Sequence, residues 1–240
     1  MTEPPSPAAS LIPRSRPPLQ AFLWFQTGLR LFKRAPARWC ALGAITLASK
    51  LLLELVPGVG RAAAEVIVPV IECGLLLGAA ALDRGSPLEL RYALAAFRAP
   101  PGALAAIVVA SLVVSAAEFG VAYTLAGANL LADPSDPRLT PDVLLTVIAT
   151  ATFVSLPLLF VPMAALFEDA GFVRAFARSL QGFAVNAPSL VLFGLLSLAL
   201  TLVGLLTFWI GLIAVFPLIA AASFAAWSDI YASPESVRAY

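Results

Sequence analysis

The stretch ALAAIVVASLVVSAAEFGVAYTLA, residues 103 to 126, carries a single charged residue, Glu118. Wound as a helix, its 24 residues would rise about 36 Å, enough to cross a hydrocarbon layer of about 30 Å. Water cannot solvate such a segment on all sides. The rest of the 240-residue chain agrees: 60% of its residues are hydrophobic and 12% charged, and its mean hydropathy is +0.93. This composition places the chain among integral membrane proteins rather than soluble domains.

Six runs meet the requirement of about 20 mostly apolar residues: 39–55, 62–82, 103–126, 143–167, 190–207 and 210–227. The fold class expected is all-α, a polytopic transmembrane bundle of six spans. Pro57-Gly58-Val59-Gly60 reads as the tight turn between the first two, and Phe208-Trp209 as the break between the last two. Residues 1–18 hold six prolines and no apolar core of a signal peptide, so they read as a disordered cytoplasmic tail. Residues 19–240 read as one membrane domain. With no histidine and only Cys40 and Cys73, neither a disulfide framework nor a Cys/His metal site can be assembled.

Basic residues divide unevenly between the two sides. Arg14, Arg16, Arg30, Lys33, Arg34, Arg38, Arg84, Arg91, Arg98, Arg174, Arg178 and Arg238 fall on one side, Arg61 and Arg138 on the other. The positive-inside rule then puts both termini in the cytoplasm. Trp39, Trp227 and Tyr231 would mark the inner interface, Tyr123 and Trp209 the outer one.

Three amphipathic segments lie on the basic side. The middle one, residues 87–98, has Ser86, Pro87 and Glu89 in capping-box positions, Leu90, Leu94 and Phe97 on one face and Arg91 and Arg98 on another. A first segment opens at Pro18 with Phe22, Phe25, Leu29 and Phe32 opposite Arg30, Lys33 and Arg34. A third runs from Asp169 through Phe172, Phe176, Leu180 and Phe183 with Arg174 and Arg178, and ends at Pro188. Each ends in phenylalanine and then proline, as FKRAP, FRAP and FAVNAP, before a pair of spans begins. The second span of each pair holds proline, and Pro69, Pro157 and Pro217 precede Asp83, Asp169 and Asp229 by 14, 12 and 12 residues. The expectation is three pseudo-repeated units, about 19–83, 87–169 and 170–229, each an interfacial helix followed by a helical hairpin.

Five ionisable residues fall inside or at the edge of spans: Lys50, Glu54, Glu65, Glu72 and Glu118. Each costs about 3 kcal/mol unless paired, hydrated or neutralised. Counting helical rise puts Glu54, Glu65 and Glu118 near the outer interface, with Lys50 and Glu72 about 21 and 16 Å from the inner one. Lys50 can pair with Glu54 one turn away or with Glu72 across the hairpin, or these groups can form a proton- or cation-responsive cluster. Gly74 and Gly78, in GxxxG spacing, allow a close helix approach within the bundle or between protomers.

The runs GLRLFKRAPARW, ALDRGSPLELRYALAAFR, FEDAGFVRAFARSLQGFAVNAPSLVLFG and FPLIAAASFAAWSDIYAS resemble the BPSS-type family of uncharacterised proteobacterial six-span membrane proteins. More distantly they are similar to YciC-like proteins and to the membrane domain of some glycerophosphodiester phosphodiesterases. The resemblance implies a helical inner-membrane protein without an assigned reaction, so it transfers no functional residues. No nucleophile sits beside a base, so no enzyme is expected, and no cofactor. The basic residues adjoin spans, where lipid phosphates outcompete nucleic acid. The function expected is a non-catalytic module that organises anionic lipid, a protein partner or a second copy of the chain through headgroup contacts of Arg30, Lys33, Arg34, Arg91, Arg98, Arg174 and Arg178. The alternative is a small transporter or channel with an acidic outer rim over Lys50 and Glu72. A cavity reaching Glu72 or Lys50 favours transport, and a dry bundle favours the module.

Overall fold

A computed structural model describes residues 12–56, 59–133, 136–168, 170–207 and 210–231. Residues 1–11, Pro57-Gly58, Asp169, Phe208-Trp209 and Arg238, all used in the sequence reading, lie outside the described residues. Nine α-helices are described: α1 (Gln20–Arg34), α2 (Pro36–Glu54), α3 (Gly60–Asp83), α4 (Tyr92–Ala95), α5 (Pro101–Ala126), α6 (Pro141–Ser155), α7 (Val161–Phe167), α8 (Phe172–Leu206) and α9 (Leu212–Tyr231). Short 3₁₀ turns at Ala96–Arg98 and Leu156–Leu158 complete an all-helical chain, with no strand among the described residues.

Five helical segments are long and apolar enough to cross a membrane: α3, α5, α6 with α7, α8 and α9. This is compatible with a multi-pass membrane protein. The sixth expected span corresponds to α2, which does not join them because its 19 residues include Arg38, Lys50 and Glu54. The helices nevertheless close on themselves. α2 packs on α3, α3 on α5, α5 on α6 and α7, these on α8, α8 on α9, and α9 back on α2. Closure depends on Gly43 of α2: a Cβ there would stand 2.1 Å from the Ile213 carbonyl oxygen and 2.9 Å from Pro217. Pro217 has no N–H to return to Ile213, so the helix carbonyl it releases is the one α2 presses against.

The three amphipathic segments differ from expectation in instructive ways. Only Tyr92–Ala95 and one 3₁₀ turn of the middle segment are helical. Its capping box does not form, because Ser86 ends the preceding helix instead. The Ser86 N–H donates to Ala81 O (2.9 Å) and the Gly85 N–H to Leu82 O (3.0 Å), with Gly85 at a φ of +80°. This is the Schellman closure of α3. Glu89 turns to Arg91 at 2.8 Å. The segment is seated by Gly74, whose Cβ would collide with the Tyr92 carbonyl, while Leu88 fills the space over Gly78. The GxxxG spacing thus serves contacts within the chain.

On α1 the buried stripe is Ala21, Trp24, Gly28 and Leu31, and the expected phenylalanine face is divided: Phe25 and Phe32 pack half-buried against the core, Phe25 stacked on Phe193, whereas Phe22 and Leu29 are exposed. Small residues decide this: Gly28 meets the Ala222 backbone of α9, where a Cβ would come within 2.8 Å. The third segment is not separate from its span. Both lie in α8, bent at Asn186 (φ −121°, ψ 21°) before Pro188. Trp39, Trp227 and Tyr231, expected at a lipid interface, are buried, whereas Tyr123 is exposed.

Residues 12–18, expected to belong to a disordered tail, are fastened to the bend in α8 and the end of α9. Asn186, fully buried, accepts from the Arg16 N–H (2.8 Å) and donates to the carbonyls of Arg14 (3.0 Å) and Gly182 (3.1 Å). The Ser189 hydroxyl donates to Arg16 O at 2.9 Å, and the Arg14 N–H to Ile230 O at 2.9 Å. Asp229 pairs with Arg16 at 2.7 Å and accepts from Gln20 and Trp24. On the opposite face, Arg138 donates to both oxygens of Asp136 and holds its carboxyl down to about 2. That pair therefore persists until the pH falls through that value.

Replacing Asn186 by alanine strands the Arg16 N–H and two carbonyls inside the protein. It is expected to lower unfolding stability in detergent by about 1–3 kcal/mol and to expose residues 12–18 to protease. Gly120→Ala, at a helical position where a Cβ meets nothing within 4 Å, is expected to leave both measurements unchanged or slightly improved.

Candidate functional site

Inside the ring lies a cavity of 470 Å³. Its walls come from α3 (Pro69, Glu72, Cys73), α5 (Ile107, Ser111), α6 and the following turn (Thr152, Ser155, Leu159), α7 (Pro162, Met163), α8 (Phe193, Ser197, Thr201) and α9 (Phe216, Ser223). Pro69 interrupts the hydrogen-bond ladder of α3, and Pro157 and Pro162 break the α6–α7 span into two helices.

Glu72 stands 12 residues from the start of α3 and 11 from its end, about 17 Å from either terminus. Its side chain has accessible surface although both sequence neighbours, Ile71 and Cys73, are buried. Glu72 is exposed, and it lines the cavity. Among the residues described there, it is the one charged side chain.

The other predicted intramembrane groups surround Glu72 at longer range. Lys50 and Glu65 both act electrostatically on Glu72 and on Glu118, so the structure gathers these four into one field. Glu65 accepts a hydrogen bond from the Ser115 hydroxyl. Lys50 is exposed and forms no ion pair within 4 Å among the described residues; neither the expected Glu54 contact nor the Glu72 contact is made. Glu54, half-buried at the last turn of α2, is not drawn into the set.

Hydroxyl groups, which sequence reasoning did not single out, supply the rest of the cavity's polarity. Most serine and threonine hydroxyls in a helix return a bond to their own backbone; here Thr152 bonds Ile148 O at 2.9 Å and Ser223 bonds Ile219 O at 2.9 Å. Ser197 does not. It is 7% exposed, and its hydroxyl has no hydrogen-bond partner among the described residues. A polar atom left this way in an apolar wall costs about 1–3 kcal/mol.

The basic candidates fall into two groups. Arg30, Lys33, Arg91, Arg98 and Arg174 are exposed on the face that carries residues 12–18 and the end of α9. Arg34 instead donates to Leu82 O at the end of α3 (2.9 Å). Arg178 is drawn inward, paired with Glu168 at 2.9 Å and lying over the Tyr231 ring at 4.9 Å. No group of three His, Cys, Asp or Glu side chains that could hold a metal occurs among the described residues.

Compared with protein-family models, with curated proteins and with solved structures, the chain matches none of them. What the site can do must therefore be argued from its own chemistry. A mid-helix carboxyl and an unsatisfied hydroxyl face an open, mostly apolar space. That arrangement can hold a ligand.

The field that links Lys50 to Glu72 has a measurable consequence. In unfolding experiments at neutral pH, Lys50→Met and Glu72→Gln are expected to be non-additive, the double variant departing from the sum by about 0.5–1.5 kcal/mol. Additivity within about 0.3 kcal/mol would show that the two groups do not sense each other.

Proposed function

We propose that this chain is a small, non-catalytic transporter of the bacterial inner membrane, carrying a small molecule through the central cavity. The carrying observation is the 470 Å³ cavity that reaches Glu72, since a fully packed bundle leaves no room for a substrate. The reading includes six crossings, with α2 as the least apolar, and both termini in the cytoplasm according to the Lys/Arg bias. It also includes three pseudo-repeated hairpins, α2–α3, α5–α7 and α8–α9. Each hairpin packs as a pair and carries proline in its returning helix. Kinship with the six-span family named above belongs to the same reading. Pro-bent helices around a midplane polar group suit a carrier, because backbone at a bend can line a cavity without meeting lipid.

The test is side-specific access. A single cysteine at Ser111, placed in a Cys40→Ser, Cys73→Ser background, is expected to react with a membrane-impermeant thiol reagent supplied from either face of the membrane. Protection from both faces, in a protein that remains folded, would sink the transport reading.

A second reading has its own support. Exposed apolar side chains, Phe22, Leu23 and Leu29 on α1, Leu90, Leu94 and Phe97 beside α4, and Phe172 and Leu180 on α8, lie among the exposed Arg30, Lys33, Arg91, Arg98 and Arg174. This is the composition of a surface seated among lipid headgroups, where each cation contributes about 1 kcal/mol toward an anionic leaflet. Reversing Arg91 and Arg98 to glutamate is expected to reduce the number of anionic lipids retained in native mass spectra. Unchanged retention would leave that face to a protein partner or a second copy of the chain.

A further inference from the structure

We propose that the central cavity takes a hydrophobic organic cation, with Glu72 as its counter-charge. This rests on the cavity being a binding site and names what binds there. Charge supplies the first argument. Glu72 is the one charged side chain among the described lining residues, and no lysine or arginine reaches the wall. In the surrounding field Lys50 acts on the carboxyls of Glu72 and Glu118, and Glu65 adds a like charge to both. An anion would meet repulsion here, and a neutral lipid chain would leave Glu72 without a partner in an apolar space, which is costly.

The walls supply the second argument. Phe193, Phe216, Leu159 and Met163 present apolar and aromatic surface, which cannot replace the water shell of a small inorganic ion but suits a hydrophobic body and adds cation–π attraction. A volume of 470 Å³ falls in the range of pockets that hold drug-sized molecules, about 300–1,000 Å³. The third argument is independent of charge. Ser197, buried and without a partner in the same wall, offers an oxygen that the N–H of a protonated amine can satisfy. A carboxylate and an unsatisfied acceptor in one apolar chamber make a site for an ammonium group on a hydrophobic frame.

Two ions of the same shape and opposite charge test this. The purified full-length chain in a non-ionic detergent is titrated calorimetrically with tetraphenylphosphonium and, separately, with tetraphenylborate. The phosphonium is expected to bind once per chain, and the borate not to bind. Glu72→Gln is expected to weaken phosphonium binding tenfold or more. Gly120→Ala, outside the cavity and at a position where a Cβ meets nothing within 4 Å, is expected to leave it unchanged. Glu72→Asp, which keeps the charge, is expected to bind measurably, and it replaces the glutamine variant if that variant does not fold. Equal binding of both ions, or indifference of the phosphonium to Glu72→Gln, overturns the assignment while leaving a cavity that binds. Binding of neither ion also overturns it, and if Ser111→Cys is still labelled from both faces the transport reading survives. Failure of that labelling with phosphonium bound is the converse case, a cation site in a protein that does not transport.

Discussion

A polar atom placed away from water must find a partner within the chain, and much of this structure follows from that constraint. Asn186 sits at the bend before Pro188, and it meets the demand by capturing the backbone of residues 14–16. Asp229 is met by Arg16, Gln20 and Trp24, Arg178 by Glu168, and Glu65 by Ser115. Several atoms on the terminal face lack partners: Arg16 Nε, Glu168 Oε1, Trp227 Nε1 and Ser228 Oγ. Each belongs to a residue close to the end of a helix or in the N-terminal segment. Among the described residues deeper in the bundle, the Ser197 hydroxyl is also left without a partner, and it shares the cavity wall with Glu72.

How far the sequence revealed this architecture depended on range. Helices α3, α5, α8 and α9 are long apolar runs, and nothing beyond their own composition is needed to see them. The short interfacial pieces were misjudged where a non-local contact outweighed a local signal. The capping box at Ser86 lost to the Schellman closure at Gly85, because one N–H cannot both end α3 and begin the next helix. On α1 the phenylalanines are pushed to the flanks of the buried face or off it, and its centre goes to residues such as Ala21 and Gly28, because close approach to α9 needs small residues, not large ones. At Pro188 a helix break was expected. The chain instead bends at Asn186 and continues, since side-chain bonds at that residue supply what a second helix terminus would otherwise have required.

The same distinction governs the site. Glu72 was visible as a charge at the middle of a span, where the cost of burial marks it regardless of its neighbours. Ser197 was not, because a helical serine gives no sign in sequence of whether its hydroxyl will bond the preceding turn. Arg34 and Arg178 read as headgroup ligands because each shares a helix face with other cations. Their partners, Leu82 O and Glu168, come from other parts of the chain. Lys50 read as half of an ion pair, yet the ring geometry keeps it beyond contact with either glutamate. It acts on Glu72 and Glu118 together, shared between two carboxyls, not matched to one.

Helix α9 joins the two halves of the account. It supplies cavity wall at Phe216, Ile219, Ala220 and Ser223, and its Pro217 packs against Gly43 of α2. Its far end is held by the clasp of residues 14–24 on Asp229 and Ile230. At Ile213 the carbonyl that Pro217 leaves without a helical donor lies against Gly43 of α2, where a Cβ would come within 2.1 Å, so one position without a side chain is what lets α2 close the ring on α9.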